Sequence, residues 1–281
     1  MAQLSWLQRS RQLRLVVKRA VATLQTGSFR SIFKGSGLAF EEVRQYQPGD
    51  EVRSIDWNVT ARMGQPYVKR YVEERELRIL FVLDVSGSLR TGSALALKHD
   101  VAAEVMALLS LAGLRYGDSM GLVLFSKQIE SYTPARRGLR HALKMVYQAL
   151  YRDPVQQGTD IAQALKFTSR MAKRRSVIVI LSDFLDQGYG SWLHRLAHRH
   201  DVYALHLQDR LDTEMPSVGL VQLTDSETGQ TVMLDSEQAS AMNCQPPSNH
   251  GVNWIRISTS GDHARQLLQS LSQLRRRWQA R

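Results

Sequence analysis

An α/β fold built on a mainly parallel sheet, with helices on both faces, is predicted by three features of this 281-residue sequence. Residues 77–83 and 177–181 are short apolar runs rich in branched side chains, which suit strands buried on both faces. Each run stops abruptly at oxygen-bearing residues, Asp84, Ser86 and Ser88 after the first and Ser182-Asp183 after the second. Around them, strand-like runs alternate with stretches of helical periodicity, the pattern of a sheet with crossover helices.

The chain is 43% hydrophobic, enough for one sizeable α/β domain plus additions. Its net charge is +11 and its pI near 10.0. Cys244 is the only cysteine, which excludes an intrachain disulfide and fits a reducing compartment. No apolar run approaches the roughly 20 residues that span a bilayer. Arg9, Arg11, Arg14, Lys18 and Arg19 interrupt any signal-like apolar core, so a cytoplasmic location is expected.

Taken in order, residues 1–26 hold an amphipathic helix, with apolar side chains at helical spacing over 3–25 and no acid before Glu41. Such a helix either docks on the body, its basic face solvated, or contacts a membrane surface peripherally. Residues 27–76 form an arm, expected to pack on the core, in which eight acids and seven bases interleave between positions 41 and 78. Phe40, Tyr46, Ile55, Trp57, Tyr67 and Tyr71 alternate with these charges and are expected to be buried, and Pro48-Gly49-Asp50 reads as a turn. Residues 77–281 are the main domain. Helices are predicted over 94–116, 138–151, 160–173, 190–200 and 262–278, and strands over 120–125, 202–207 and 252–258, with 128–132 as an edge strand. Residues 217–235 read as a hairpin insertion and 236–251 as loop.

Asp84, Ser86 and Ser88 stand at alternate positions just past a buried strand, where open α/β sheets place ligands. Their oxygens suit a hard cation such as magnesium, or they form a polar turn with Ser88 capping the next helix. Gly158-Thr159-Asp160 before a helix and Asp183 after the second buried strand add oxygens from separate loops. Asp84, Ser86, Ser88, Thr159 and Asp183 together resemble the von Willebrand factor A domain and its metal-ion-dependent adhesion site. That resemblance implies a Rossmann-type sheet and Mg2+ or Mn2+ touched by the hydroxyls of Ser86, Ser88 and Thr159. Asp84 and Asp183 would then act directly or through water.

The arm carries a second resemblance. Glu41-Glu42-Val43-Arg44-Gln45-Tyr46-Gln47-Pro48-Gly49-Asp50, then Arg53, Ile55-Asp56-Trp57, Ala61-Arg62 and Glu74-Arg75-Glu76, are similar to the signature of the domain of unknown function 58 family. That family pairs such a stretch with an adhesion-site-like A domain, and the resemblance covers roughly residues 35–260. It implies a MoxR-type AAA+ ATPase partner and an adaptor role in protein assembly or maturation. Many members carry N-terminal membrane spans, which this sequence does not show.

Other motifs count for less. Gly35-Ser36-Gly37 lacks the third glycine and lysine of a phosphate loop. His194 and His198 stand at i, i+4, but H-E-x-x-H is absent and a solvated face accounts for them. Ser86 lacks a nucleophile-elbow context, and Cys244 has no basic neighbour close in sequence. Residues 131–175 hold ten Lys or Arg against Asp153 and Asp160, a patch that could meet nucleic acid or an acidic protein. The expected function is metal-dependent protein binding without catalysis, in which a partner's acidic residue completes the cation's shell. A nucleic-acid-associated protein using the basic patch is the alternative. A metal-dependent hydrolase comes third, because no general base accompanies the ligands.

Overall fold

A computed structural model describes residues 15–18, 20, 42–50, 55–70, 77–90, 96–152, 154, 155, 157–213, 219–224, 231–235 and 251–279. The chain divides into two compact units, residues 31–76 and the remainder. Of the N-terminal helix expected over 3–25, residues 15–18 and 20 are described and helical, with Val16 and Ala20 buried. Phe40, Tyr71, Cys244 and the loop at 236–250 lie outside the described residues.

In the smaller unit, β1 (Glu42–Gln45) pairs antiparallel with β2 (Tyr67–Arg70), and α1 (Trp57–Met63) lies between them in sequence. The charged residues of the arm shape its turns. The Arg44 guanidinium forms a two-pronged bridge to Asp50, at 2.8 and 2.6 Å. Asp50 also accepts the Gln47 N–H at 2.9 Å, closing the Pro48-Gly49 turn in which Gly49 takes φ +111°. Asp56 caps α1 by accepting the N–H groups of Asn58 and Val59. One expectation fails here. The Trp57 ring is 66% exposed. Because Asp56 is the cap, Trp57 becomes the first helical residue and projects from the first turn of a helix that buries none of its residues. Tyr46, Ile55 and Tyr67 are half-buried.

In the larger unit the six-stranded sheet runs β10-β7-β6-β3-β4-β5. These are β3 (Arg78–Asp84), β4 (Ser119–Phe125), β5 (Ile129–Arg136), β6 (Val177–Ser182), β7 (Asp201–Gln208) and β10 (Val252–Ser258). All neighbours are parallel except β5, which pairs antiparallel with β4 at the edge, as expected of the 128–132 stretch. The helices are α2 (Lys98–Arg115), α3 (Leu139–Tyr151), α4 (Ile161–Met171), α5 (Gly190–Arg199), α6 (Arg210–Thr213) and α7 (His263–Gln279). Leu80 and Val82 of β3 meet Ile161, Ala164 and Leu165 of α4 and Leu193 and Leu196 of α5 on one face. Strand alternation turns Ile79, Phe81 and Leu83 to the other face, where α2 packs beside α3 and α7. α2 buries residues around most of its circumference, Val101, Ala102, Ala103, Val105 and Met106 among them, so it is the central helix of that layer. The hairpin is present as β8 (Leu220–Thr224) and β9 (Thr231–Asp235).

Two local readings differ. After Asp84 the chain makes a short 3-10 turn over Gly87–Arg90, so Ser88 lies inside a turn and does not cap a long helix. The helix expected from residue 94 begins at Lys98, because Leu97 is extended, with ψ 151°, and supplies no side-chain cap.

Gly121 gives the fold a direct test. It lies on β4 opposite an irregularity in β5, and an added Cβ would come 3.0 Å from Ala135 N, Thr133 O and Leu80 Cδ1. Two of those atoms are backbone and cannot swing aside. Gly121→Ala should cost about 1–3 kcal/mol by overpacking, read as a lowered urea midpoint; a midpoint equal to wild type would show that β5 can move away.

Candidate metal centre

Parallel pairing brings the exits of β3 and β6 together. Leu83 stands opposite Leu181, so Asp84 and the Ser182-Asp183 pair leave the sheet side by side. Asp84 is fully buried. Its Oδ1 accepts the Ser86 N–H at 2.9 Å, and its Oδ2 accepts the Ser182 hydroxyl at 2.7 Å. Ser182 Oγ in turn accepts the Phe184 N–H at 3.1 Å. The serines before and within the 3-10 turn meet, with Ser86 Oγ and Ser88 Oγ 3.0 Å apart. The Ser88 hydroxyl donates to Asp183, whose Oδ1 also accepts the Leu185 N–H at 3.4 Å. Asp183 is 2% exposed, and among the described residues its Oδ2 accepts no hydrogen bond.

Asp84, Ser86, Ser88 and Asp183 thus form one connected cluster, with Ser182 inside it. Thr159 reaches the same sheet edge from another loop. It is half-buried between Gly158, at φ +102°, and Asp160. Asp160 donates its N–H to Ser126 O at 3.0 Å, just past β4, and caps α4 through the Gln163 N–H. The Ile161 N–H bonds Asp186 Oδ2 at 2.8 Å, which ties this loop to the one leaving β6.

The electrostatics follow from burying two carboxylates together. Burial, and then the neighbouring Asp183 charge, pushes the Asp84 carboxyl up to about 7, against hydrogen bonds from Ser86 and Ser182 that pull it down. Asp183 is also raised by burial, with the Lys98 ammonium and the Ser88 hydroxyl pulling the other way. His206 on β7 is lowered to about 4, by burial first and then by Arg256 and Lys98, and so is neutral near pH 7. Its ring meets Phe184 edge-on at 5.8 Å. Phe184 has φ +54°, the one positive value at a non-glycine residue among those described. That strained turn directly follows Asp183 and is held by packing against Tyr189 and Trp254.

Among the described residues no three His, Cys, Asp or Glu side chains gather as a ligand set. A cation here would rest on two carboxylates and on hydroxyls, a hard-oxygen set that fits Mg2+ or Mn2+. The Asp183 oxygen that accepts no hydrogen bond and the two raised carboxyls are what such an ion would relieve.

Lys98 and Asp212 escape a reading by motif. Lys98 Nζ lies 2.7 Å from Asp212 Oδ2 and 3.5 Å from Asp183 Oδ2. Lys98 opens the helix, where the helix dipole disfavours a cation, but in sequence it stands among His99, Asp100 and Glu104 as an ordinary charged residue. His194 and His198 lie on the exposed side of α5 with their Nε2 atoms 2.9 Å apart. Along 131–175, Arg136, Arg137, Arg140, Lys144, Lys173, Arg174 and Arg175 are exposed, and Arg175 pairs with Asp201 at 2.8 Å.

The profile of a family described as "Protein of unknown function DUF58" matches residues 42–244, well over half of the chain and spanning both the arm and the sheet. The chain belongs to the DUF58 family. Its fold is α/β, a mainly parallel sheet with one antiparallel edge and helices on both faces. An uncharacterized protein of Mycobacterium tuberculosis H37Rv, Rv1480, is 35% identical over 224 residues, 78% of this DUF58 chain and 70% of that protein. MAV169 of Mycobacterium avium, also uncharacterized, is 39% identical over 104 residues, 35% of this chain and 60% of its own length. Among solved structures, the conserved hypothetical protein BatB of Bacteroides thetaiotaomicron aligns with TM-score 0.47 and 15% identity over 71% of this chain and 99% of that one. An aerotolerance-related membrane protein of Bacteroides fragilis gives 0.49 and 19% over 70% and 99%. The SpRpn10 VWA domain gives 0.40 and 13% over 69% and 94%. Among the described residues no helix is long and apolar enough to cross a membrane.

The raised Asp84 carboxyl has a measurable consequence. Without metal the folded state keeps this proton up to about 7, whereas an ordinary aspartate releases it near 3.8. The stability held by the protonated form is therefore full below about 4 and is lost as pH rises towards 7. Denaturation in chelator should show Asp84→Asn gaining on wild type between pH 4.5 and pH 8; a difference that stays constant with pH would place the Asp84 carboxyl in the ordinary range.

Proposed function

We propose that this DUF58 protein is a metal-dependent protein-interaction module. The observation that carries the reading is the pair of buried carboxylates, Asp84 and Asp183, joined through serine hydroxyls at the carboxyl edge of a parallel sheet. Asp84, Ser86, Ser88, Thr159 and Asp183 would hold Mg2+ or Mn2+. The ion would supply a Lewis-acidic point to which a partner's carboxylate binds. Neutral hydroxyls leave such an ion short of negative charge, which favours an acidic ligand from outside. We read the site as binding and not catalytic. By its likeness to DUF58 proteins, the partner we infer is a MoxR-type AAA+ ATPase, with the module serving as an adaptor in protein assembly or maturation in the cytoplasm.

A second reading has its own observation, the exposed basic stretch from Arg136 to Arg175. Nucleic acid bound there would need no cation and would be released steeply by salt.

Two measurements test the proposal. Mg2+ or Mn2+ should raise the melting temperature, by an amount equivalent to about 2.7 kcal/mol at a hundred times the dissociation constant, and Asp84→Ala/Asp183→Ala should abolish the rise. A pull-down with magnesium should retain a protein partner that is lost both in chelator and in Ser86→Ala/Ser88→Ala. The serine pair is the sharper lever, because it leaves net charge untouched. If that variant keeps every partner at full strength, the metal-bridged reading is wrong. Salt-sensitive, chelator-resistant binding of DNA or RNA would then move the function to the basic stretch.

A further inference from the structure

We propose that Lys98 is an internal cation that competes with the divalent ion for Asp183 and so sets the metal affinity of the site. This inference rests on the metal-binding reading above.

Lys98 is 2% exposed. It opens α2 with no side-chain cap before it, at the helix end where the dipole repels positive charge. Burial and the dipole both oppose an ammonium here, so its place depends on the carboxylates it meets. The two contacts are unequal. Asp212 Oδ2 is 2.7 Å away and is itself fixed, since the same oxygen accepts the Asp209 N–H at 2.7 Å. Asp209 is anchored in turn by the Thr259 hydroxyl at 2.7 Å and the Leu211 N–H at 3.0 Å. Asp183 Oδ2 is 3.5 Å away and accepts no hydrogen bond among the described residues. Lys98 is therefore held firmly by Asp212 and only loosely by Asp183.

That asymmetry fits a counter-ion that must be outcompeted. With Asp183 charged, Lys98 partly neutralises it while the metal is away. An arriving divalent ion takes over Asp183, breaks only the long contact, and leaves Lys98 on Asp212. The ammonium then repels the bound ion at short range, which lowers its affinity. A partner's carboxylate adds negative charge to the same cluster and offsets that repulsion, so metal and acidic partner bind better together than singly.

The test is Mn2+ affinity, read by paramagnetic resonance or calorimetry on the full chain at pH 8. Removing a unit charge a few ångströms from a divalent ion, in an effective dielectric near 20, is worth on the order of a thousandfold or more in binding before solvent screening reduces it. Lys98→Met should therefore bind Mn2+ at least about tenfold more tightly than wild type. Adding Asp183→Ala to Lys98→Met should remove the binding. Asp212→Asn is the second variant, since the Asp212 side chain is part-exposed and tolerates substitution. It takes away the firm anchor, throws Lys98 onto Asp183 and should weaken Mn2+ binding several-fold. Within the Lys98→Met background the same change should have a smaller effect. Equal or weaker Mn2+ binding by folded Lys98→Met overturns the inference, as does unchanged or tighter binding by Asp212→Asn. If neither wild type nor Lys98→Met binds Mn2+, the metal reading itself fails. If both bind with equal affinity, that reading stands and only the role of Lys98 falls.

Discussion

Two carboxylates held beside each other in a dry place is the constraint on which the rest of this domain turns. The pairing of β3 with β6 forces it, because one register sets both strand exits and brings Asp84 next to Ser182-Asp183. Burial and mutual repulsion each make the doubly ionised state costly, and the surroundings read as a set of partial offsets. Ser86, Ser182, Ser88 and Leu185 each donate a hydrogen bond, and Lys98 brings a whole charge. None of these brings Asp84 back to an ordinary carboxyl. A fold optimised only for stability would place apolar side chains at these exits, so the retained carboxylates point to use.

The supports come from strand exits that lie far apart in sequence. Asp160 is bonded to the end of β4, Asp186 to the start of α4, and Asp212 follows β7 through Asp209 and Thr259. Of these supports, Asp212 is joined to the carboxylates directly, through Lys98 and Asp183. The strained turn at Phe184 belongs to the same arrangement. An aromatic residue in left-handed backbone persists only because Tyr189, His206 and Trp254 surround its ring. The packing that fixes Phe184 also fixes where Asp183 leaves the strand.

Much of the sheet was legible because its strands are buried on both faces, and such runs show directly as branched apolar residues. The oxygens at the carboxyl edge were legible for a related reason: Asp84, Ser86, Ser88 and Asp183 interrupt those runs abruptly. Lys98 and Asp212 were not. Each is an ordinary surface-type residue in sequence, and only the tertiary structure, which seats α2 beside the ends of β6 and β7, makes them one ion pair. Trp57 departs from expectation: a large ring among charges need not be buried. Asp56 and Trp57 instead divide one helix start between a cap and an exposed first residue. Among the described residues of that arm, Arg44, Asp50 and Asp56 shape the turns and cap the helix.

Lys98 also bears on why hydroxyls stand where further carboxylates could. A site that must release its ion, or take it up only with a partner, cannot be surrounded by unopposed negative charge. Replacing Ser86 or Ser88 by an acid would tighten the cation and remove its need for an outside ligand. It would also add a third charge to a place that already raises two carboxyls, at a cost the fold could meet only with another buried cation. Serine hydroxyls and one internal ammonium achieve the opposite balance. On the proposed reading, the site would keep enough negative charge to attract a divalent ion and too little to satisfy it. That shortfall would give an acidic group on another protein something to add.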